Sequence, residues 1–340
     1  MAQAGAEPFE LAVQLTASAG MQARALTQLA GGRNNRVFRV ETDGEPLVLK
    51  CYHRDARDTR DRLGAEWRFL AYVWSRGVRV VPRPLAKDDG AGAALYAYAV
   101  GRKLAPPEVD ARAVQLAADF IVAANAPVRA VNALEPASEA CFSLADHVET
   151  IRRRVARLSE LDPDAPLRQD AEAFLRDRLV PAWTRVEAAI RAAAGEDENA
   201  LAARLPEAEA IASPSDFGFH NALAAPDGAL TFIDFEYAGR DDPAKLACDF
   251  FCCPEIPVPL QHRPLFLQAL KAGIGLPETF TRRADLLLDA YRIKWACIVL
   301  NDFLPVDASR RAFALADGRA ERCRTQLGKA DAKLAEIGCY

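Results

Sequence analysis

Three side chains in the second half of the chain have the types and spacing that phosphate chemistry needs. Asp216 and Asn221 lie on either side of a short loop, so both can face one cavity. Asp234 lies on a predicted strand that returns beside Asn221. An amide oxygen next to a carboxylate suits a hard cation such as Mg²⁺. Asp216 is then available to accept a proton from an alcohol.

A lysine and a glutamate earlier in the chain extend this set. Lys50 lies in the alternating apolar strand predicted over 47–52, from which it can reach the α- and β-phosphates of a nucleotide. The alternative is a lysine that keeps an edge strand soluble. Glu66 lies beside the apolar stripe of a helix predicted over 60–76 and can pair with Lys50. The alternative is an exposed glutamate on the flank of that helix.

The segment 31–35, Gly-Gly-Arg-Asn-Asn, precedes a predicted strand. Glycines let the backbone approach a phosphate, and small polar side chains can contact it. The candidate nucleotide contacts are Gly32, Asn34 and Asn35. The alternative is an ordinary loop, which has the same composition.

Together these residues resemble the aminoglycoside phosphotransferase and choline kinase superfamily, which has a protein-kinase-like fold. The resemblance is collinear over about residues 25–250. It implies that Lys50 binds phosphate, that Glu66 is its helix partner and that Asp216 is the catalytic-loop aspartate. Asn221 and Asp234 match the metal-binding positions. The cofactors implied are ATP and Mg²⁺, and the reaction is phosphoryl transfer to a hydroxyl.

The same resemblance assigns supporting segments. Tyr98 and Val100 fall where the family contacts adenine through its backbone. The segment 239–243 resembles the family's G-x-x-D-P stretch, which supports the loop. One departure is clear: the family usually has His-Gly-Asp where this chain has the sequence 214–216, Pro-Ser-Asp. His220 lies nearby, where it can compensate for the missing histidine or simply pack.

Four further residues have open interpretations. Glu236 can belong to a metal's outer shell, contact substrate or be a solvated acid. Arg292, Lys294 and Trp295 lie on a predicted helix that can line the acceptor pocket, although a tryptophan is more often part of the core.

The predicted secondary structure that positions these residues changes along the chain. Short strand-like runs dominate the first part, whereas long Ala-, Leu- and Arg-rich helices follow. We therefore predict an α+β, bilobal protein-kinase-like fold. Residues 1–100 form a small β-rich nucleotide-binding lobe, and residues 101–340 form a larger, mainly helical lobe with the catalytic loop and acceptor site. A hairpin interrupts the helices, with strands at 221–225 and 229–235. Helices are predicted over 108–125, 143–160, 167–194, 259–272, 279–302 and 308–336.

Composition narrows the class of partner. The 340 residues carry a net charge of −4, with no basic run, which argues against nucleic-acid and anionic-membrane binding. We find no secretory signal, no membrane-spanning run and no obligate protein partner, and we expect a cytoplasmic protein. The eight cysteines form no metal-binding pattern, so Cys248, Cys252 and Cys253 are expected to be reduced core residues.

Different functions remain open at this point. The first is a kinase that phosphorylates a small hydroxylated metabolite, with a sugar as the favoured class; an aminoglycoside- or choline-type kinase is an alternative. A second is a nucleotide-binding pseudokinase with a regulatory role, suggested by the replacement of the loop histidine by Pro214. A third, AMP transfer, has no positive feature in the sequence.

Overall fold

The computed structural model describes residues 7–29, 35–54, 60–126, 131–305 and 318–339. These residues form two compact units. The first comprises the described parts of Met1–Leu104, Asn132–Ser138 and Pro214–Gly239. The second comprises those of Ala105–Val131, Glu139–Ser213 and Arg240–Tyr340. The segment Pro214–Gly239, which contains the predicted catalytic loop and hairpin, groups with the N-terminal sheet. The lobe boundary near residue 100 stays a prediction.

A five-stranded antiparallel sheet forms the centre of the first unit, with strand order β1-β2-β3-β5-β4. The helix α1 packs on one face, where Leu11 and Leu15 join Phe38, Val40 and Leu49 in an apolar core. The strands are β1 Ala23–Gln28, β2 Arg36–Thr42, β3 Leu47–Cys51, β4 Pro84–Asp88 and β5 Ala93–Ala97, and the helix α1 is Pro8–Ser18.

Helix α2, Arg62–Ser75, confirms the helix predicted over 60–76. The side chain of Asp61 caps it by accepting a hydrogen bond from the backbone N–H of Gly64 at 2.9 Å. Besides the predicted apolar residues Leu63 and Leu70, the helix buries two charged groups, Arg62 and Glu66. Buried charges require partners, and both partners lie in the first unit.

The predicted hairpin is present as β7, Ala222–Ala224, and β8, Leu230–Phe232. Its turn contains Gly228 at a φ of 83°, in the left-handed region that glycine adopts readily. Both strands are shorter than predicted. The second ends before Asp234, whose left-handed backbone, with φ 68°, interrupts the extended conformation.

Helices form most of the second unit, which confirms the predicted α+β class with a β-rich N-terminal part and a mainly helical remainder. A two-stranded sheet pairs β6, Ile211–Ser213, with β9, Gly239–Asp241. The helices are α3 Ala111–Asn125, α4 Leu144–Arg157, α5 Arg168–Phe174, α6 Val180–Ala193, α7 Glu198–Ala202, α8 Pro243–Cys252, α9 Arg263–Ile274, α10 Glu278–Val299 and α11 Arg319–Ala335.

The single helix predicted over 167–194 contains a π-helical stretch, Leu175–Leu179, between α5 and α6. Pro181 lies just inside α6 and has no N–H to donate to the carbonyl of Asp177, four residues earlier. A local widening of the helix is a common response to such a missing bond. The helix predicted over 308–336 is described from residue 319, since 306–317 lie outside the described residues.

The cysteines of α8 are core residues, as expected. Cys248 and Cys252 are fully buried and their thiols contact the backbone carbonyls of Ala284 and Leu288 on α10. Within the described ranges, no group of three or more His, Cys, Asp or Glu side chains is arranged to hold a metal. In the same ranges, no helix has the length and apolar character needed to cross a bilayer.

Candidate active site

Lys50 occupies the third strand of the sheet, between Val37 of β2 and Ala94 of β5. Its side chain is buried, and its ammonium contacts two carboxylates. Nζ lies 2.7 Å from Oε2 of Glu66 and 2.6 Å from Oδ1 of Asp234. The pairing of Lys50 with Glu66 was expected from the sequence. Its direct contact with Asp234 was not, and it brings the predicted phosphate and metal residues together.

Neighbouring carboxylates keep the ammonium of Lys50 positively charged. Burial opposes the charged form, but Asp234, Glu66 and Glu236 outweigh it and raise the pKa of Lys50 well above its usual value. Burial raises the pKa of Glu66, while Lys50 favours its ionised form. Lys50 therefore remains a cation at neutral pH, as binding to phosphate oxygens requires.

Two tyrosines complete the surroundings of Glu66. The hydroxyl of Tyr52 donates to Glu66 Oε2 at 2.7 Å, and it also lies 2.7 Å from the hydroxyl of Tyr96. Burial, together with the charge of Glu66, raises the pKa of Tyr52 well above its usual value. The phenol thus stays neutral and serves as a donor that satisfies the buried carboxylate.

The predicted catalytic loop is closed by its own hydrogen bonds. Asn221 Nδ2 donates to the backbone carbonyl of Asp216 at 3.0 Å, and the backbone N–H of Asn221 donates to Gly218 at 3.0 Å. His220 Nε2 lies 3.2 Å from Asp216 Oδ1. Ser215, at the position where the family has glycine, has a left-handed backbone with φ 66°. The loop thus adopts a turn that favours glycine without containing one there.

The two predicted metal ligands are neighbours in the hairpin. The backbone N–H of Ile233 donates to the carbonyl of Asn221 at 2.9 Å, which places Asn221 one residue from Asp234 across the ladder. Because the amide nitrogen of Asn221 is already donating, its amide oxygen is the atom suited to a cation. The carboxylate of Asp234 is 43% exposed and uses one oxygen for Lys50. The donor set fits Mg²⁺, which prefers a few oxygen ligands and retains waters.

The predicted nucleotide contacts are only partly described. Gly32 and Asn34 lie outside the described residues. Asn35 is described, and its side chain bonds at both ends, donating to Glu236 Oε2 at 2.5 Å and accepting from the backbone N–H of His53 at 3.1 Å. The contact of Gly32, Asn34 and Asn35 with nucleotide stays a prediction.

The segment predicted to contact adenine follows strand β5. The backbone N–H of Tyr98 donates to the carbonyl of Pro46 at 3.3 Å. The guanidinium of Arg39 lies 4.8 Å from the centroid of the Tyr98 ring. Val100 is 66% exposed, which is unusual for a valine and leaves its surface accessible to a ligand. The adenine contact of Tyr98 and Val100 stays a prediction.

Glu236 is a functional candidate whose environment the sequence did not reveal. It is only 4% exposed, so it is not a solvated acid. Besides Asn35, it contacts Arg62, whose Nη1 lies 3.4 Å from Oε1. The one available signal was the position of Arg62, one helical turn before Glu66, which puts both on the same face of α2.

The residues suggested to line an acceptor pocket are used inside the second unit. Lys294 Nζ lies 2.8 Å from both carboxylate oxygens of Asp249, and Trp295 Nε1 donates to the same group at 2.9 Å. Arg292 Nη1 lies 2.5 Å from Asp289 and is 2% exposed. These contacts argue against a role of the three side chains in substrate binding.

The predicted supporting segment 239–243 is held by a buried polar network of the second unit. His147 is fully buried and contacts Tyr291 Oη at 2.7 Å and Asp242 at 3.2 Å. Burial opposes protonation of His147, but Cys141 and Asp242 outweigh it and raise its pKa to about 10. Arg283 also donates to Asp242, at 2.6 Å. The network fixes the start of α8, which Asp242 caps.

Comparisons with known proteins agree with this geometry. A sequence model described as the phosphotransferase enzyme family matches residues 25–286. No curated protein sequence matches the chain. One structure similar in fold is a spectinomycin phosphotransferase in complex with ADP and spectinomycin, with 12% identity over 95% of this chain and 98% of that chain and a TM-score of 0.60.

Two further solved structures share the fold. The choline kinase LicA from Streptococcus pneumoniae has 15% identity over 97% of this chain and 100% of that chain, with a TM-score of 0.59. A putative fructosamine-3-kinase from Thermobifida fusca has 17% identity over 96% of this chain and 98% of that chain, with a TM-score of 0.54. At these identities the similarity establishes the fold alone, and the fold is the one predicted from the sequence.

Proposed function

The chain belongs to the phosphotransferase enzyme family, whose members phosphorylate hydroxyls of small molecules, and from that premise we propose an ATP-dependent kinase of a neutral hydroxylated metabolite. The observation that carries the proposal is the contact of Lys50 with both Glu66 and Asp234. It brings a cation for phosphate and a carboxylate for metal to one point, which is the arrangement that phosphoryl transfer requires.

ATP and Mg²⁺ are the proposed cofactors. Asn221 and Asp234 would hold the metal, which supplies charge neutralisation at the phosphates when it is bound. Lys50 binds the α- and β-phosphate oxygens, and Glu66 keeps its ammonium in place. Asn35, with Gly32 and Asn34, is proposed to contact the phosphates, and the backbone of residues 98–100 is proposed to contact adenine.

Asp216 is the proposed general base. It accepts the proton of the acceptor hydroxyl while the acceptor oxygen bonds to the γ-phosphorus, and the bond from that phosphorus to the β–γ bridging oxygen breaks, releasing ADP. The contact of His220 with Oδ1 limits rotation of the carboxylate, which supports this assignment.

The acceptor is proposed to be uncharged, with a sugar as the leading class. A polycationic acceptor would need several available carboxylates. In the C-terminal part of the chain, Asp285 contacts Arg263 at 2.6 Å, Asp289 contacts Arg292 at 2.5 Å, and Asp302 is buried with 6% exposure. These acids are therefore poorly placed to recognise positive charge, which favours a sugar over an aminoglycoside or choline.

Incubation with Mg-ATP and a pool of hydroxylated metabolites tests the proposal, with products followed by mass spectrometry. We expect one neutral metabolite to gain a phosphate in amounts that match the ADP formed. Asp216→Ala, the control, should bind Mg-ATP but form no product. Tight Mg-ATP binding without phosphorylation of any acceptor would instead favour a pseudokinase, and release of pyrophosphate would indicate AMP transfer.

A further inference from the structure

Three buried residues on one face of α2 are connected to segment 234–236, which follows strand β8. Arg62 Nη1 lies 3.4 Å from the carboxylate of Glu236. The ring of Phe69 stacks on the ring of Phe235, with a distance of 4.9 Å between the ring centroids. Glu66 is joined to the first residue of the segment through Lys50. The spacing i, i+4, i+7 puts all three on the same helical face. Two ionic contacts therefore join the helix to this segment. One runs from Glu66 through Lys50 to Asp234, and the other is the direct contact of Arg62 with Glu236.

The contact of Arg62 with Glu236 extends to Asn35, at the end of the predicted nucleotide loop. Glu236 receives a hydrogen bond from Asn35 on one oxygen and faces Arg62 with the other. The second amide atom of Asn35 accepts the backbone N–H of His53, so both ends of this side chain are held. Hydrogen bonds to an ionised carboxylate are stronger than those between neutral groups. The position of Asn35 therefore depends on Glu236.

Arg62 is itself fixed in place. Its guanidinium lies 5.5 Å from the ring centroid of Tyr237, within the range of a cation–π contact. Arg62 is 5% exposed and Glu236 is 4% exposed, so each neutralises the other away from water. A buried charge left without its partner is costly. A carboxylate engaged in this way is poorly placed to act as a metal ligand as well.

We propose that Arg62 and Glu236 form a positioning pair that sets nucleotide affinity by holding Asn35, and that Glu236 is not a metal ligand. The ligand is a Mg-nucleoside diphosphate or triphosphate, so this inference rests on the proposed function. Both residues act through Asn35 and are not catalytic. Substitution of either residue should therefore weaken nucleotide binding, and substitution of both should weaken it no further. The loss should not depend on the concentration of Mg²⁺.

Calorimetric titration with Mg-ADP tests the pair without knowledge of the acceptor. The variants are Glu236→Gln, Arg62→Gln and the double variant, and Arg62→Lys retains the charge if Arg62→Gln fails to fold. Glu41→Gln and Arg68→Gln are the matched controls, since they remove exposed members of the Arg39–Glu41 and Asp61–Arg68 pairs of the same unit. Thermal melting of each variant confirms folding.

We expect each single substitution to weaken Mg-ADP binding about tenfold, the effect of one lost charged hydrogen bond. The double variant should be no weaker than the weaker single variant, and the controls should bind like wild type. The proposal would be overturned if the double variant lost Mg-ADP affinity by the product of the two single losses. Wild-type affinity for Mg-ADP in Glu236→Gln would overturn it as well. So would recovery of Glu236→Gln, but not Arg62→Gln, on raising Mg²⁺, because that marks a metal ligand.

The same titration separates this inference from the proposed function. A wild-type protein that failed to bind Mg-ADP would overturn both. A protein that bound Mg-ADP with the expected coupling but phosphorylated no acceptor would support the positioning pair and overturn the kinase activity alone.

Discussion

His220 contacts the proposed base directly, four residues further along the same loop. Nε2 of His220 lies 3.2 Å from Asp216 Oδ1. An ionised carboxylate can only accept hydrogen bonds, so Nε2–H of His220 is the donor when Asp216 is ionised. The backbone carbonyl of His220 also accepts a bond from Lys103. The first contact joins the imidazole to the carboxylate and the second holds the backbone of His220. Loss of the imidazole should therefore affect the orientation of the carboxylate more than the binding of nucleotide.

Substitution of His220 should therefore separate kcat from nucleotide affinity. His220→Gln retains a donor near the position of Nε2 and should keep most of the activity, whereas His220→Leu should lower kcat about tenfold. Mg-ADP affinity should be unchanged in both. Steady-state kinetics with the identified acceptor, together with calorimetry, provide the measurement. Equal activity of the Leu and Gln variants would contradict the proposed hydrogen bond.

Ser215 gives a prediction about stability at the same scale. A non-glycine residue in the left-handed region is strained by about 1 kcal/mol, and Ser215 has φ 66°. Ser215→Gly should raise the free energy of unfolding by about 0.5–1 kcal/mol, measured by urea denaturation. Ser159→Gly, at an exposed position without a positive φ, should lower it by a similar amount. Destabilisation by Ser215→Gly would show that the hydroxyl contacts of Ser215 outweigh the strain.

At the scale of elements, helix α2 connects the strand that carries Lys50 to the segment that carries Asp234. Its N-terminal end depends on the Asp61 cap, since the first backbone N–H groups of a helix have no partner within it. A less ordered first turn would affect Arg62 before it affected Glu66, because Arg62 is the first residue of the helix.

Asp61→Ala should lower the free energy of unfolding by about 1 kcal/mol through loss of this cap. The exposed pair of Asp61 with Arg68 should add little to that loss. Asp89→Ala, which removes an exposed partner of Lys87, is the matched control and should have almost no effect. A loss from Asp61→Ala no larger than that of the control in urea denaturation would exclude the cap as a significant contribution.

The elements also show what sequence reasoning can recover. Helix α2 and the hairpin were predictable because apolar periodicity and an Asp-Gly turn are local signals. Helix α8 was missed although Asp242 and Pro243 are typical of a helix start. All ten of its residues are buried, including the charged Lys245 and Asp249, so it has no solvent-exposed face. The Lys50–Glu66 pair follows from residue types in order. The contact of Arg62 with Glu236 depends on tertiary placement, which no local pattern reports.

At the scale of the whole molecule, the buried charges of the second unit link folding to pH. His147 has its pKa raised to about 10, against about 6.5 in an unfolded chain. A group whose pKa is raised on folding stabilises the folded state fully below its unfolded pKa. That stabilisation is lost as the pH rises from about 6.5 to about 10.

The free energy of unfolding of the wild type should therefore fall across this range more steeply than that of His147→Gln. Urea denaturation at several pH values measures the two slopes. His262→Gln, which replaces a partly exposed histidine, is the control and should retain the wild-type slope. Parallel slopes for wild type and His147→Gln would contradict a protonated His147 in the folded protein.

The most direct test of the central claim is transfer of the γ-phosphoryl group itself, followed with ATP whose non-bridging γ-phosphate oxygens are ¹⁸O. We predict that the wild-type protein forms a phosphorylated metabolite carrying all of the labelled oxygens, and that Asp216→Asn forms none while binding Mg-ATP normally. An unlabelled product, or an undiminished rate with Asp216→Asn, would contradict phosphoryl transfer from the γ-position with Asp216 as the base.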